Sequence, residues 1–481
     1  MLGNSFSKKI YTVLAKLLLN KMQAKYRALH GKELPILVIA GDSGKSTLVT
    51  LLDNLFCKNK WTVYKNIDQD SGVSSISLLC STIGGIDMPA SSGWFSFPIF
   101  IWRATYAYLF GTFKYDENTI LIHEANVDAE NRVDSYLEIF GSSVDTIIIS
   151  CLIGSCASGF SDTFEDDKYT DLKKLIPDNL QLELEKTSID SKTRNGALEK
   201  LRLLKTAKNY ILPGTIDSFD NITIHNFDGR QLQTVAKSSR GRGFSLDVMD
   251  GVNLSGEYLL PQTFAKYTHI LSEISKKYTL KSASVQDLAK NMALPNSRFG
   301  LLKGILNGRV VDSSYDTDAV SLVSFLDLLK EVLQIYSKAD FDTDEYAGQV
   351  MAPRHYIVLG DMARLGESSK QRHAEILDSI LDIKNDFGDY VEEVYLVGDS
   401  WLECDEQGFG KLDGNISYII YKKTVFKVCK KAENVIELLG EDTVRPQSWY
   451  WVKGTKTTGL ESVAKHLLRD KDDIVKLCRQ G

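Results

Sequence analysis

The sequence predicts an α/β protein of two successive units, each built on a mostly parallel sheet with helices on its faces. Three observations predict it. Apolar runs of strand length alternate with helical patterns from residue 34 onward, and the alternation resumes near residue 297 after a different middle stretch. A glycine-lysine-serine loop also follows the first of these runs directly. Of the 481 residues, 43% are hydrophobic and 25% charged, so full cores are affordable and disorder is not the expected class. The 57 basic and 63 acidic residues leave a net charge of −6, which argues against a general nucleic-acid binder. Seven cysteines with no CxxC pair read as reduced thiols of a cytoplasmic protein, neither a disulfide framework nor a zinc site.

The elements follow in order. Ile10, Val13, Leu14, Leu17, Leu18 and Met22 recur at helical spacing among Lys9, Lys16, Lys21, Lys25 and Arg27, which predicts a basic amphipathic helix within residues 1–33. Lys16 interrupts the apolar run and no small-residue cleavage site follows, so it does not read as a signal peptide. Packing on the next unit is the first reading of this helix, and lying on a membrane surface is the alternative. ILVIA at 36–40 reads as a buried strand, followed by a helix through Leu51–Phe56. SGWFSFPIFIWRATYAYLFGTF at 92–113 is dense in aromatics but too short and mixed to span a bilayer. It reads as a packed helix pair, with a membrane-interface or substrate-facing patch as the alternative. TILIHE at 119–124 and DTIIISCLI at 145–153 read as strands, 161–210 as charged and helical, and 211–260 as short β segments. From 296 the second unit runs GRVVDSS, a helix through 319–337, HYIVLGD, a helix at 368–386, EVYLVGD, ISYII and WYWVKGT. The expected boundaries are 34–295 and 296–481.

The chemistry starts at GDSGKST, residues 41–47. Between a strand and a helix, successive backbone N–H groups and the helix N-terminus cradle phosphate oxygens. Gly41, Asp42, Ser43, Gly44, Lys45, Ser46 and Thr47 are therefore the candidate nucleotide loop, with Lys45 reaching the outer phosphates and the Ser46 hydroxyl suited to Mg²⁺. The ordinary Walker loop needs glycine or alanine where Ile39 stands, so only the shorter GxxGK[ST] spacing is present.

That short loop resembles the ATP site of the Mur ligases, the amide-forming enzymes of peptidoglycan precursor synthesis. VLGDMARLGESSKQRHAEI at 358–376, SRFGLLKGILNGRVVDSSYDTDAVSL at 297–322 and WVKGTKTTGLESVAKHLL at 451–468 are similar to segments of the D-alanyl-D-alanine-adding type. The resemblance covers residues 34–481, patchily between 160 and 295. It implies a P-loop central ATPase domain and a C-terminal Rossmann-like domain with the site between them. It also implies ATP and Mg²⁺, and an acyl phosphate that an incoming amine resolves into an amide. The partners implied are a small cell-wall precursor and an amino-acid or dipeptide amine. By position, Lys45 and Ser46 match the phosphate lysine and the metal hydroxyl, Glu124 the Mg²⁺ glutamate, and Arg298 a phosphate-binding arginine. Asp312 stands next to the position of the ribose aspartate, and Lys205 falls where a carbamylated lysine is expected.

The sequence also departs from that pattern. LIGSCASGF at 152–160 lacks the metal-binding histidine, Ser313 replaces the second aspartate, and Asp316 and Asp318 replace two asparagines. The strand before the loop begins at residue 36, so the family's UDP-holding domain is expected to be missing. The resulting expectation is a divergent ATP-dependent amide ligase, cytoplasmic and with a possible membrane-surface contact. The alternative is a catalytically weak nucleotide-binding scaffold. A P-loop switch or kinase gives no reason for the GDM and VKGT segments.

Overall fold

The computed structural model describes residues 2–66, 96–110, 115–127, 132–152, 160, 172, 174–176, 178–185, 191–213, 222–225, 237–241, 243–248, 252–256, 263–281, 285, 287–288, 294–338, 353–362, 365–407, 414–440 and 445–477. Of the sequence expectations, residues 92–95 and 111–113 of the aromatic segment and 153–159 of LIGSCASGF lie outside them.

The first half is a six-stranded sheet in the order β2-β3-β1-β4-β5-β6. Its strands are β1 (Ile36–Ala40), β2 (Thr62–Asn66), β3 (Thr119–Glu124), β4 (Val144–Ile149), β5 (Ala207–Pro213) and β6 (Ile222–His225). All pairings are parallel except β5–β6. A parallel strand covered on both faces reads as an unbroken apolar run, and every residue of β1 and β3 is buried. The helices are α1 (Leu2–His30), α2 (Lys45–Lys58), α3 (Ser96–Phe110), α4 (Arg132–Phe140), α5 (Asp178–Leu184), α6 (Ser191–Arg202) and α7 (Thr263–Lys277). Helices α1, α4 and α6 pack on one face of the sheet, α2 and α7 on the other. A separate antiparallel ribbon holds β7 (Lys237–Gly241), β8 (Gly243–Val248) and β9 (Val252–Gly256), within the stretch expected to be short and β-like.

Helix α1 joins this core by a narrower stripe than its composition suggests. Ala15, Leu18, Leu19, Met22 and Tyr26 are buried, whereas Val13 and Leu17 remain 49% and 43% exposed. Gln23 exchanges hydrogen bonds with the backbone N–H and C=O of Leu34, and the Tyr26 hydroxyl donates to the Glu117 carbonyl. The apolar set covers a wider arc than the sheet face, so its edge residues stay in water.

The second half is a seven-stranded sheet, β10-β11-β16-β12-β13-β15-β14. Its strands are β10 (Gly300–Lys303), β11 (Arg309–Ser313), β12 (His355–Gly360), β13 (Val391–Val397), β14 (Ile416–Tyr421), β15 (Thr424–Cys429) and β16 (Trp449–Lys453). The inner strands β11, β16, β12, β13 and β15 run parallel, and β10 and β14 add antiparallel edges. Helices α8 (Ala319–Lys338) and α9 (Ser369–Phe387) cover one face, and α10 (Ala432–Leu438) and α11 (Glu461–His466) the other. The mixed α/β class is as expected. No described helix is long and apolar enough to cross a membrane.

Candidate functional site

Strand β1 sits between β3 and β4, so the chain leaves it in opposite directions and a crevice opens at its C-terminal edge. The 41–44 loop fills that edge. Gly41 has φ +133° and a Cβ there would lie 2.4 Å from the Ser150 hydroxyl; Gly44, with φ +80°, would put one 1.9 Å from the Tyr267 hydroxyl. Only glycine fits either place. Gly44 is the N-cap of α2, with no side-chain cap hydrogen bond, and the first N–H groups of a helix have no partner within it. The Lys45 ammonium folds back on the loop, 2.8 Å from the Gly41 carbonyl and 3.4 Å from that of Asp42.

The loop is anchored from below. Asp42 pairs with Lys200 of α6 at 2.8 Å, with both side chains almost fully buried. Lys200 also donates to the Leu152 carbonyl at 2.9 Å.

Beside the loop, the Ser46 hydroxyl donates to Glu124 Oε1 at 3.1 Å, and both residues are buried. Asn66, ending β2, fixes the glutamate's backbone: its Oδ1 accepts from the Glu124 N–H at 2.9 Å and its amide donates to the Glu124 carbonyl at 3.3 Å. The same Oδ1 lies 2.7 Å from His123 Nδ1, and burial pushes that imidazole down to about 3, so it is neutral. One carboxylate and one hydroxyl beside a phosphate loop fit Mg²⁺, which takes its remaining ligands from phosphates and water. No cluster of three His, Cys, Asp or Glu side chains suited to a metal is found among the described residues, so an all-protein cage is not what these residues offer.

Across the crevice stands the second sheet. The cleft between them is lined by Ser43, Gly44, Thr47 and Tyr267 on one side and by Arg298, Ser313, Asp316, Asp318 and Lys453 on the other. Arg298 lies over the Tyr315 ring at 4.5 Å. Its neighbours Ser297 and Phe299 have φ +55° and +52°, conformations costly for side-chain-bearing residues. Contacts with the Lys471–Lys476 turn anchor this segment: Ser297 N–H to the Lys476 carbonyl at 3.2 Å and the Asn296 amide to that of Val475 at 2.7 Å.

Lys453 ends β16 fully buried and donates to the Asp316 carbonyl at 2.6 Å. Burial pushes its ammonium down to about 8 against the opposing pull of Asp318 and Asp316. Burial likewise raises Asp318, with Asp316 adding to the effect and Lys453 opposing it. Asp318 caps α8 by accepting from the Ser321 N–H at 2.8 Å. The cleft thus offers cations and a helix N-terminus to a polyanion, and carboxylates to a cationic or hydroxyl-bearing partner.

Of the residues singled out in the sequence, Gly41 to Thr47 and Glu124 come together, and Arg298 faces them. Two are placed elsewhere. Asp312 is buried and pushed up to about 6, chiefly by desolvation, and it is its neighbour Ser313 that lines the cleft. Lys205 is exposed on the short turn Leu203–Thr206 behind α6, and Lys200 is the lysine that reaches the loop. Sequence reasoning passed over Lys200, Asn66, Tyr267 and Lys453, and it noted Asp318 only as a departure from the family pattern. Lys453 and Asp318 lay inside the segments already singled out, whereas Lys200 and Tyr267 carry no local signal.

The GDM segment does not line the cleft. His373 accepts from the Met362 N–H at 3.2 Å and its Nδ1 lies 2.8 Å from the Ser369 carbonyl, while Asp361 accepts from the N–H and hydroxyl of Ser400. It ties the ends of β12 and β13 to α9.

No protein-family profile matches the sequence, and no curated protein matches it. Solved structures do resemble the fold. MurF ligase from Thermotoga maritima, in complex with ADP, has a TM-score of 0.54 at 13% identity, covering 97% of this chain and 84% of that one. UDP-N-acetylmuramoylalanyl-D-glutamyl-2,6-diaminopimelate–D-alanyl-D-alanyl ligase from Acinetobacter baumannii reaches 0.51 at 11% identity, covering 97% and 80%. A bifunctional folylpolyglutamate synthase/dihydrofolate synthase from Yersinia pestis, complexed with AMPPNP and Mn, gives 0.44 at 13% identity, covering 93% and 92%. For the first two, at such identities, the likeness is one of fold.

Proposed function

We propose that the chain is an ATP-dependent amide ligase of two units meeting near residue 295, acting on a small-molecule carboxylate and an amine. The observation that carries this reading is the Ser46–Glu124 pair beside a glycine-built phosphate loop, facing Arg298 and Lys453 across an open cleft. In this reading the loop N–H groups, Lys45 and Arg298 hold the triphosphate in line with the acceptor carboxylate. Ser46 and Glu124 would hold Mg²⁺, which would supply charge neutralisation at the phosphates. A carboxylate oxygen attacks the γ-phosphorus, the bond to ADP breaks, and an acyl phosphate forms. The amine nitrogen then attacks the acyl carbon, the C–O bond to phosphate breaks, and the nitrogen gives up a proton. Of the acceptor and amine classes, a muramoyl peptide and D-alanyl-D-alanine are our first choice, on the strength of the 297–322, 358–376 and 451–468 segments. We place the reaction in the cytoplasm, where ATP is available.

The test supplies ATP, Mg²⁺, a UDP-muramoyl tripeptide labelled with ¹⁸O in its terminal carboxylate, and D-alanyl-D-alanine. ADP release that needs both substrates, with one ¹⁸O carried into phosphate, is the expected result. ATP that binds without label transfer or substrate-dependent turnover favours the scaffold reading, toward which Ser313 at an aspartate position already leans.

A further inference from the structure

Helices α1 and α3 form a surface that the catalytic reading leaves unused. Residues 1–32 contain six lysines and Arg27 and no acidic residue, in a chain whose net charge is −6. No acidic residue stands between Asp87 and Asp116 either, although Arg103 and Lys114 do. Two stretches far apart in sequence are thus cleared of carboxylates, and the fold lays their helices side by side: the Lys21 ammonium donates to the Tyr108 carbonyl and sits over its ring at 5.3 Å.

The inner stripe of α1 is committed to the core, but its outer stripe is not. Lys9, Val13, Lys16 and Leu17 are exposed on successive turns, mixing cations with apolar side chains. On α3, Trp102, Tyr106 and Leu109 lie at helical spacing and are 68%, 56% and 59% exposed, with Trp102 and Tyr106 stacked at 5.9 Å between centroids and Arg103 beside them. Among the described residues, Lys9, Lys16 and Arg103 have no carboxylate partner, whereas Arg27 and Lys32 pair with Glu33 and Glu117.

An aromatic patch of this size needs a cover, and the charge says which. A protein partner or a second copy of this acidic chain would bring carboxylates at specific points. Lys9 and Lys16, without carboxylate partners on a helix that packs beside one exposing tryptophan and tyrosine, instead match a continuous anionic interface, where rings sit at headgroup depth and ammonium groups meet phosphates. We infer that the joined outer faces of α1 and α3 are a docking surface for anionic lipid bilayers, holding the cleft close to membrane-borne substrates. The inference is independent of the ligase reading, because it rests on a different surface.

The test uses the full chain and vesicles of phosphatidylcholine alone or with 30% phosphatidylglycerol. Binding to the anionic vesicles only, weakened at least tenfold by 0.5 M salt, is the expected result. Each cation near such a surface is worth about fivefold, so K9E/K16E should weaken binding by more than about 25-fold. W102A/Y106A should abolish it, and brominated lipids should quench wild-type fluorescence more than that of Trp102→Phe. Unchanged ADP binding shows that each variant is folded. Protein that stays in the supernatant at low salt, charge-reversed protein that binds equally well, or a wild-type dimer that W102A/Y106A makes monomeric would overturn the inference.

Discussion

The Asp42–Lys200 pair makes a quantitative demand on the P-loop. At 2.8 Å and an effective dielectric near 20, the two charges attract by about 6 kcal/mol, most of which offsets the cost of taking them out of water. Lys200→Met keeps the volume but strands the Asp42 carboxylate, with its side chain 3% exposed, and removes the bond to the Leu152 carbonyl. Breaking a buried pair from one side costs about 3–5 kcal/mol. Asp42→Asn strands the ammonium instead and should cost a similar amount. The double variant buries no charge and should lie within about 1–2 kcal/mol of the wild type. Guanidinium unfolding with and without ADP provides the assay, since the transition that nucleotide shifts belongs to the half of the chain carrying the loop. A Lys200→Met loss under about 1 kcal/mol, or single losses that simply add in the double variant, would refute the anchoring role.

Other perturbations probe the remaining residues of the cleft. Lys45→Ala should cut ATP turnover by about two to three orders of magnitude with the unfolding midpoint unchanged; turnover within a few-fold would remove the loop from the chemistry. Glu124→Gln should raise the Mg²⁺ requirement about 10- to 100-fold, the worth of a charged ligand, and leave metal-free ATP affinity nearly untouched. Equal losses in both would make Glu124 structural. Lys453 gives a pH signature. Unfolded, it holds its proton to about 10.5, whereas folded it releases it at about 8, so the unfolded chain binds more protons in that window and stability rises with pH by up to about 3 kcal/mol. Lys453→Met should flatten that rise relative to wild type in pH-dependent unfolding, and an unaltered slope would show that another group titrates there.

The fold was legible where local pattern suffices. ILVIA and TILIHE are unbroken apolar runs because β1 and β3 are covered on both faces, and the aspartate at 318 and serine at 321 mark the start of α8 by reciprocal hydrogen bonds. The order of the strands was not legible. Nothing in β1 itself states that β3 and β4 flank it, yet that order opens the crevice the loop occupies. Lys200 is hidden for the same reason, since its partner Asp42 comes from a different element and only the packed sheet brings them together. Counting along the chain led instead to Lys205, which stands beyond the end of α6 and faces water.

A charged residue ending an otherwise apolar parallel strand lies at the sheet edge where ligands bind, as Glu124 does at the end of β3. β16 has the same form, five buried residues closing on Lys453, and that lysine lines the cleft. β11 shows what the rule needs besides. Asp312 and Ser313 are consecutive, side chains on a strand alternate between faces, and Ser313 is the residue in register with Lys453. The serine therefore looks into the cleft beside the lysine, and the aspartate faces away into the core, where burial pushes its carboxyl up to about 6. Choosing between two neighbours required the register, and the register is set by a strand more than a hundred residues away.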